Sequence, residues 1–276
     1  MKKDDDLAAL AKAIDAVAPR RTASADDTEL HLAPPHLPFV AETDPSISVE
    51  IVELRRLDTT MRVYTAGPRV VRSNTPGIVV VPHLWGVDAT IRDIVRRFAK
   101  AGFSTVAPDL YARFEAPSGD DSCDRKRFEP FAKRIDRRQA DGDIRAAALW
   151  LQARSPQGLI GITGLSVGGH YALLQAADNN DIFNCVAPFY GSVDRITPDQ
   201  IHIPVCGSYG EHDSLVSVDQ VRLFRTLLAV PNDLRVYQTA GHDFFDDRRS
   251  AYAPAAASDA WKRTLEFFKN HLVPKR

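Results

Sequence analysis

Cysteine is scarce in this sequence: the 276 residues contain three, Cys123, Cys185 and Cys206. An odd number of cysteines at unequal spacings argues against a disulfide framework, and no pair of them has the short separation of a zinc-binding motif. The cysteine content therefore predicts a chain that folds in a reducing compartment, which we expect to be the cytoplasm.

The sequence also lacks long apolar runs and an excess of charge of one sign. No hydrophobic stretch approaches the roughly 20 residues that cross a bilayer, and the start, Met1–Asp6, does not lead into the apolar core of a signal peptide. The 35 basic and 36 acidic residues give a formal net charge of −1. We therefore expect neither a membrane nor a nucleic acid as a partner.

The composition and the order of the predicted elements indicate an α/β fold. Hydrophobic residues make up 44% of the chain, enough apolar side chains for a sizeable core. Continuous β-branched runs such as Ile78–Val81 are typical of strands buried on both faces, and they alternate with helical segments such as Ala89–Ala101. Short connections favour parallel crossovers, so we predict a doubly wound, mostly parallel sheet with helices on both faces.

Two stretches interrupt this alternation. Residues 1–46 contain a short amphipathic helix, Leu7–Val17, and then an extended arm rich in Asp, Pro and Ser. Residues 47–276 are predicted to form a single domain that opens with an antiparallel hairpin. Within that domain the charged segment 112–139 lacks a clear period, and we interpret it as an excursion over the top of the sheet.

A G-x-S-x-G pattern, Gly164–Gly168, lies between an apolar run and a helical segment. The run Leu159–Thr163 predicts a strand, and His170–Ala177 predicts a helix. Strand, sharp turn and helix form the nucleophile elbow of α/β-hydrolases, in which the serine has a strained backbone and glycines permit close packing. The pattern therefore predicts Ser166 as a nucleophile.

An acid and a base follow Ser166 in the order expected of that fold. Asp213 comes directly after the predicted strand Pro204–Gly210, and His242 comes directly after Leu234–Thr239. Because ligands bind at the carboxyl ends of parallel strands, we expect both side chains to lie beside Ser166. The imidazole would accept the proton of the serine hydroxyl, and the carboxylate would orient the imidazole.

Each of these residues also has an alternative role. Asp213 could cap the helix that follows it, Glu211 could be the acid instead, and His242 could be a hydrogen-bonded loop histidine. A zinc site is a further alternative, although it would leave the elbow unexplained. Its candidate ligands are His212, Asp213, His242 and Asp243. We expect no metal and no cofactor.

Two backbone amides are expected to form the oxyanion hole. In α/β-hydrolases they belong to the residue after the nucleophile and to the loop after the third strand, here Val167 and Leu84. One such donor contributes about 3–4 kcal/mol of transition-state stabilisation. We expect Asp88 to cap the following helix rather than to take part in the reaction.

Together these motifs resemble the dienelactone hydrolase family. The resemblance covers about residues 47–272, and it implies a single α/β-hydrolase domain, without a cofactor, that hydrolyses small esters or lactones. The segments that carry it, together with Arg92, are Val79–Gly86, Pro108–Arg113, Gly164–Gly169, Gly210–Asp213 and Gly241–Phe244.

The sequence departs from the family pattern at the nucleophile and beside the oxyanion hole. Founding members of the family have a cysteine where this chain has Ser166, and a glutamate where it has His83. Their resting thiol is controlled by that glutamate. We therefore expect this control to be absent and a plain serine-hydrolase cycle to take its place.

The resemblance also implies residues around the substrate. One arginine that holds the substrate carboxylate in the family aligns near Arg125, whereas the second position is Asp246, an acid that would repel a carboxylate unless Arg248 replaces it. We therefore doubt that dienelactone itself is the substrate. The side chains expected to contact the substrate are His83, Trp85, Tyr111 and Arg125. Core packing is the alternative for Trp85 and Tyr111.

The sequence thus predicts a serine carboxylesterase or lactonase that acts on a small molecule. A hydrolase-fold binding or signalling protein without activity is one alternative, disfavoured by the intact set of Ser166, Asp213 and His242. A peptidase of the same fold is another, disfavoured because the sequence shows no propeller or large accessory domain. The sequence leaves the oligomeric state open, and a homo-oligomer is compatible with it.

Overall fold

Eight strands and six α-helices make up the part of the chain that the structure describes. The structure is a computed structural model, and it describes residues 37–120, 124–178 and 181–274. The predicted helix Leu7–Val17, most of the predicted arm and Cys123 lie outside these ranges. The described residues belong to one compact unit, Pro34–Arg276.

The strands form one mixed sheet. In chain order they are β1 (Ile47–Arg55), β2 (Thr60–Pro68), β3 (Gly77–Val81), β4 (Ser104–Pro108), β5 (Ile160–Leu165), β6 (Cys185–Phe189), β7 (Ser208–Gly210) and β8 (Arg235–Tyr237). Their order across the sheet is β1-β2-β4-β3-β5-β6-β7-β8. The β1–β2 and β2–β4 pairs are antiparallel and the other neighbours are parallel, so the predicted mostly parallel sheet is confirmed.

The helices cover both faces of this sheet. They are α1 (Ala89–Lys100), α2 (Arg125–Ala132), α3 (Arg137–Arg154), α4 (Val167–Asp178), α5 (Val218–Leu227) and α6 (Pro254–Leu272), with a 3₁₀ turn at Pro198–Gln200. Within the described ranges, no helix is long and apolar enough to cross a membrane.

The antiparallel edge of the sheet begins with a hairpin. Arg55 on β1 pairs with Thr60 on β2, and the amide of Arg56 donates to the carbonyl of Thr59 at 2.8 Å, which closes the turn. β1 alternates between buried or half-buried and exposed positions over much of its length, as a strand with one solvated face does. The predicted antiparallel hairpin is therefore confirmed.

Two hydrophobic cores lie on opposite faces of the central strands. All residues of β3, β4, β5 and β6 are buried, because helices pack on both sides of them. One core includes Ile144 of α3 and Leu173 of α4, and the other includes Phe98 of α1 and Phe268 of α6. This two-sided burial explains why the central strands are continuous apolar runs in the sequence.

The segment 112–139 contains a helix that the sequence pattern did not predict. α2 lies within it, and α3 begins at Arg137, before the segment ends. Phe128 is the buried residue of α2, so a period of apolar positions is missing from the sequence. What starts each helix is a side-chain cap: Asp124 accepts from the amide of Lys126, and Asp136 accepts from the amide of Gln139.

The described part of the predicted arm packs against the domain. Leu37 and Val40 are buried, and the Val40 amide donates to Asp93 Oδ1 on α1 at 3.0 Å. Arg96, also on α1, donates to the Val40 carbonyl oxygen. Residues 37–40 thus contribute side chains to the core that includes α1.

Candidate active site

Ser166 occupies a strained turn between β5 and α4. Its φ of 54° lies in the left-handed region, which is unusual for a residue with a side chain. A Cβ at Gly164 would lie 2.3 Å from the carbonyl oxygen of Gly168, and a Cβ at Gly168 would lie 2.2 Å from that of Val81. Both flanking positions therefore require glycine, as the sequence pattern indicated. The local geometry is that of a nucleophile elbow.

A chain of two hydrogen bonds joins Ser166 to His242 and Asp213. Ser166 Oγ lies 2.7 Å from His242 Nε2, and His242 Nδ1 lies 2.8 Å from Asp213 Oδ2. The His242 side chain is 9% exposed and the Asp213 side chain 1%. Ser166 and His242 are 76 positions apart in the chain, and His242 and Asp213 are 29 apart. The fold brings all three side chains together, partly buried, beyond the carboxyl ends of β5, β7 and β8.

The other oxygen of Asp213 is held by the backbone. Oδ1 accepts from the amides of Leu215 at 2.8 Å and Val216 at 2.9 Å, so the carboxylate is fixed and Oδ2 is directed to His242. The alternative role of helix cap does not apply, because the N-cap of α5 is Ser217. Glu211, the other candidate acid, pairs with Arg222 at 2.6 Å instead.

Two further strained residues contact the imidazole of His242. Tyr190 has a φ of 38°, and its ring centroid lies 4.9 Å from that of His242. Asp243 has a φ of 61°, and its Oδ1 lies 3.8 Å from His242 Nε2. Burial raises the pKa of Asp243, and its buried Oδ1 has no hydrogen-bond partner among the described residues. Nothing in the sequence indicated Tyr190, and Asp243 was indicated only as a candidate ligand of the alternative zinc site.

The loop after β3 carries the predicted oxyanion residue and is fixed on both sides of it. The Gly86 amide donates to the His83 carbonyl at 3.0 Å, which orients the peptide that contains the Leu84 amide. The Tyr111 hydroxyl donates to the Leu84 carbonyl at 2.7 Å, which orients the next peptide. Donors held in this way need no reorganisation during a reaction. We call residues 83–87 the oxyanion loop.

Leu84, Ser166 and Val167 line one open cleft of about 460 Å³. The structure therefore brings both predicted oxyanion residues and the predicted nucleophile to the same place. The predicted substrate residue Arg125 also lines the cleft, where it forms an ion pair with Glu129 at 2.7 Å. The remaining lining residues are Glu129, Ala132 and Lys133.

Lys133 is a cleft residue that the sequence analysis missed. Among the described residues it has no ion-pair partner, so it adds an uncompensated positive charge beside the Arg125–Glu129 pair. The signal was the spacing: Arg125, Glu129 and Lys133 are four residues apart, which places them on one face of a helix. The spacing alone does not indicate a helix, because the apolar residues of the segment show no helical period.

His83 is not a substrate residue in this structure, contrary to the prediction. Its side chain is completely buried, with Nε2 2.9 Å from Asp88 Oδ1 and Nδ1 3.9 Å from Asp246 Oδ2. Both carboxylates are also bound by Arg249, at 3.4 Å and 3.0 Å. The His83 side chain is thus a buried part of the oxyanion loop, held by two carboxylates, and it has no exposed surface for contact with a ligand.

His83, Asp88 and Asp246 are close enough together to be considered as metal ligands. Their oxygens are already engaged, however. Asp88 Oδ1 accepts from the Ile91 amide and caps α1, as the sequence predicted, and Asp246 Oδ1 accepts from the Thr90 hydroxyl at 2.8 Å. With the guanidinium of Arg249 supplying the positive charge, this cluster has the composition of a buried ion-pair network.

Trp85 and Tyr111 do not line the cleft with Ser166. They are 6% and 7% exposed, and both line a second cavity of about 330 Å³. The reason is the direction of the oxyanion loop: Leu84 faces the cleft, while Trp85 and the following residues face the other way. The predicted contact of Trp85 and Tyr111 with a substrate in the cleft is therefore not seen, and their burial agrees with the packing alternative.

Asp246 and Arg248, the candidate positions for a second carboxylate contact, also lie away from the cleft. Asp246 is fully buried against Thr90 and Arg249. Arg248 pairs with Asp120 at 3.2 Å. Asp246 is therefore not placed to repel the carboxylate of a substrate in the cleft, and Arg248 is not placed to bind it.

Comparisons with known proteins give consistent relatives. The model of the Dienelactone hydrolase family matches residues 61–272. A protein of Salmonella typhimurium named "Putative carboxymethylenebutenolidase" is 31% identical over 257 residues, covering 87% of this chain and 94% of its own. A protein of Bradyrhizobium sp. named "Probable 2-oxo-3-(5-oxofuran-2-ylidene)propanoate lactonase" is 27% identical over 248 residues, covering 84% and 98%.

A solved structure shares the fold. The crystal structure of a "Putative Dienelactone Hydrolase" from Klebsiella pneumoniae has a TM-score of 0.74 and 26% identity to this chain, and the match covers 80% of this chain and 98% of that one. These relatives span nearly their whole length in the comparison, so the similarity extends over the entire hydrolase domain.

Proposed function

Because the chain belongs to the dienelactone hydrolase family, a family of hydrolases, we propose that it cleaves small carboxylic esters or lactones through an acyl-Ser166 intermediate. The observation that carries this proposal is the unbroken series of contacts from Ser166 Oγ through the imidazole of His242 to Asp213. A hydroxyl of ordinary acidity attacks a carbonyl only if a base takes its proton, and this arrangement supplies the base.

In the first half of the reaction, His242 Nε2 removes the Ser166 proton as Oγ bonds to the carbonyl carbon. The imidazolium is stabilised by the Asp213 carboxylate through Nδ1–H. The negative charge that develops on the carbonyl oxygen is met by the amides of Leu84 and Val167. The imidazolium then protonates the alkoxide as it leaves, which gives the acyl-serine and an alcohol.

In the second half, water attacks the acyl-serine with His242 again acting as the base. The same amides stabilise the second oxyanion, and the proton held by His242 returns to Ser166 Oγ as the carboxylic acid departs. With a lactone the alcohol remains attached to the acyl group, so one molecule of hydroxy acid is released. No cofactor enters these steps.

The cleft suggests which substrates fit best. It is open and about 460 Å³ in volume, a size for small acyl and alcohol groups. The Lys133 ammonium favours substrates with a negative group over substrates with a positive one. A lactonase name on the Bradyrhizobium relative supports lactones as one class. The cleft has Arg125 but no second arginine, so we propose that dienelactone itself is a poor substrate.

The test is hydrolysis of a short p-nitrophenyl ester and of a five-membered lactone by the full chain. Ser166→Ala and His242→Ala should each lower kcat by at least about a thousandfold. The matched controls are Ser214→Ala and His212→Ala, which change exposed residues next to Asp213 and should keep wild-type activity. A fluorophosphonate should label the wild type at one serine, and the label should be lost in Ser166→Ala.

The outcomes separate the alternatives. Hydrolysis at the wild-type rate by Ser166→Ala would disprove the mechanism. Absence of turnover with every ester and lactone, combined with normal folding, would favour a binding protein of the same fold. Cleavage of peptide amides at rates comparable to esters would favour the peptidase alternative.

A further inference from the structure

The second cavity lies on the far side of the oxyanion loop from Ser166. It shares no lining residue with the cleft. One wall is formed by Trp85, Gly86 and Val87 of the oxyanion loop, and the opposite wall by residues 114–119. The hairpin β1–β2 contributes the remaining side. At about 330 Å³, its volume is at the lower end of the range of small-molecule sites, suited to a ligand with one ring.

The walls of this cavity are aromatic. Their hydroxyl groups are already engaged: Tyr64 donates to Glu42 at 3.0 Å and accepts from Arg96, and Tyr111 donates to the Leu84 carbonyl. The two tyrosines therefore offer a ligand the surface of their rings. Trp85 has one ring face covered by the Arg249 guanidinium at 3.7 Å, and its buried Nε1 has no hydrogen-bond partner among the described residues. The aromatic lining residues are Tyr64, Trp85, Tyr111 and Phe114. Such a lining favours a flat, apolar group through stacked or edge-on contacts.

Two arginines line the cavity, and they differ in their partners. Arg92 pairs with Asp120 at 2.8 Å, lies 3.9 Å from Glu42 and also donates to the Val87 carbonyl. Arg62, in contrast, is exposed and makes no ion pair or side-chain hydrogen bond with a residue in the described ranges. A guanidinium presents paired N–H donors that match a carboxylate.

A single carboxylate fits the charges better than a polyanion. Asp109 also lines the cavity, and burial raises the pKa of its carboxyl, which the charge of Arg62 only partly offsets. An ionised Asp109 would repel a phosphate with two charges more strongly than a carboxylate with one, and a single carboxylate is enough to neutralise the charge of Arg62. The cavity thus combines one exposed guanidinium that forms no close ion pair with a ring-sized enclosure.

From these observations we propose that the second cavity is a binding site for a small aryl carboxylate, with the ring between the aromatic walls and the carboxylate on Arg62. The site is separate from the catalytic cleft, but it adjoins the oxyanion loop. Tyr111 connects the two, because its ring lies 3.2 Å from the position of a Cβ on Gly86 and its hydroxyl binds Leu84. An occupant that shifts Tyr111 also shifts the peptide next to the oxyanion amide, so binding changes kcat for ester hydrolysis.

Binding is tested with benzoate as the probe, by calorimetry and by NMR on the full chain. Benzamide keeps the ring without the charge, and acetate and inorganic phosphate keep a charge without the ring; each should bind at least tenfold more weakly than benzoate. Arg62→Gln should weaken benzoate binding about tenfold or more. Arg55→Gln is the matched control, because Arg55 is exposed on the same hairpin but lies outside the cavity.

A second variant acts on the shape of the cavity instead of its charge. Ala116 lines the cavity, and Ala116→Phe should fill it and abolish benzoate binding while Arg62 remains. Binding that survives both Arg62→Gln and Ala116→Phe would overturn the proposal. Binding that is lost when Ser166 carries a fluorophosphonate, yet is unaffected by Arg62→Gln, would place benzoate in the catalytic cleft and overturn it as well.

The kinetic part of this proposal rests on the proposed function, whereas the binding part does not. If the chain hydrolyses no ester but binds benzoate through Arg62, the proposed function fails and the second site stands. If ester hydrolysis depends on Ser166 but benzoate neither binds nor changes kcat, the proposed function stands and the second binding site is disproved. With both in place, saturating benzoate should change kcat severalfold in the wild type and not in Arg62→Gln.

Discussion

Strained residues are concentrated around the imidazole of His242. Ser166, Tyr190 and Asp243 have φ values of 54°, 38° and 61°, and all three contact His242 or adjoin it in the sequence. Such conformations cost of order 1–3 kcal/mol each and persist where the surrounding structure enforces them. At the scale of single residues, the strained backbone of the candidate site therefore lowers the free energy of unfolding while it positions the side chains around His242.

A glycine of the elbow gives a direct test of this cost. In Gly168→Ala the new Cβ would lie 2.2 Å and 2.5 Å from two backbone oxygens, those of Val81 and Pro82, so the backbone must shift. We expect a loss of roughly 2–4 kcal/mol in the free energy of unfolding and of most esterase activity. Gly67→Ala is the control: its nearest neighbour would be 3.5 Å away, and it should be close to neutral in a denaturant titration.

Asp243 predicts a pH-dependent effect on stability. Burial raises its pKa, so between the unfolded and folded values the native state binds more protons than the unfolded chain, and the free energy of unfolding falls as pH rises. The buried Oδ1 of Asp243 has no hydrogen-bond partner among the described residues, so the charged form of the carboxyl is disfavoured in the native state. Asp243→Asn removes that charge and suits the same left-handed backbone, so it should stabilise the protein by about 1 kcal/mol at pH ~7.

A measurement at a second, lower pH is the control for the expected stabilisation by Asp243→Asn. A larger fraction of the wild-type carboxyl is protonated at pH ~4 than at pH ~7, so the gain from Asp243→Asn should be smaller at the lower pH. Asp194→Asn, a change of an exposed residue, should have little effect at either pH. An equal gain at both pH values would contradict the assignment to a buried charge.

At the scale of elements, one buried carboxylate joins α3 to the hairpin. Asp143 on α3 is 1% exposed and pairs with Arg56, in the β1–β2 turn, at 2.8 Å. It also pairs with Arg113, in the loop after β4, which in turn binds Asp58 at 2.7 Å. This network holds the start of the 112–139 segment against the antiparallel edge of the sheet.

Removal of that carboxylate should therefore be costly. Asp143→Ala leaves Arg56 and one side of Arg113 without a partner, and we expect a loss of about 2–3 kcal/mol in the free energy of unfolding. Asp181→Ala breaks an exposed pair with Arg145 and should cost less than about 1 kcal/mol. Chemical denaturation of both variants measures the difference, and equal losses would show that burial of Asp143 does not matter.

At the scale of the whole molecule, the segment 37–46 closes over one face of the domain. Besides the contacts of Val40, the Leu37 amide donates to the Tyr252 hydroxyl at 3.4 Å, and Asp44 pairs with Lys100 at 2.8 Å. These contacts connect the segment to the middle and the C-terminal end of α1 and to the region before α6. The segment is thus part of the second hydrophobic core rather than a separate arm.

Two truncations test this contribution. A chain that starts at Ile47 loses the buried side chains of Leu37 and Val40, while a chain that starts at Leu37 keeps them. We expect the shorter chain to have a Tm lower by about 5 °C or more, because each buried aliphatic side chain contributes about 1.5–3 kcal/mol. Equal melting temperatures would show that the segment adds nothing to stability.

The sequence by itself determined the order of strands and helices and the residues of the elbow. The β-branched runs and the glycines around Ser166 carry that information locally, because burial on both faces and a left-handed turn each demand particular residue types. The order of Ser166, Asp213 and His242 after successive strands also follows from the chain alone. The helix α2 was missed because a short, mostly exposed helix leaves no apolar period.

Tertiary structure decided which side of the oxyanion loop each residue faces. His83, Leu84 and Trp85 are consecutive, yet the first is enclosed by Asp88 and Asp246, the second lines the cleft and the third lines the second cavity. The side chains of successive residues in a tight loop point in different directions. No pattern in the sequence predicts which of them faces solvent, a cavity or the protein interior. The charge partners of Arg62 and Lys133, or their absence, were likewise fixed only when distant segments packed together.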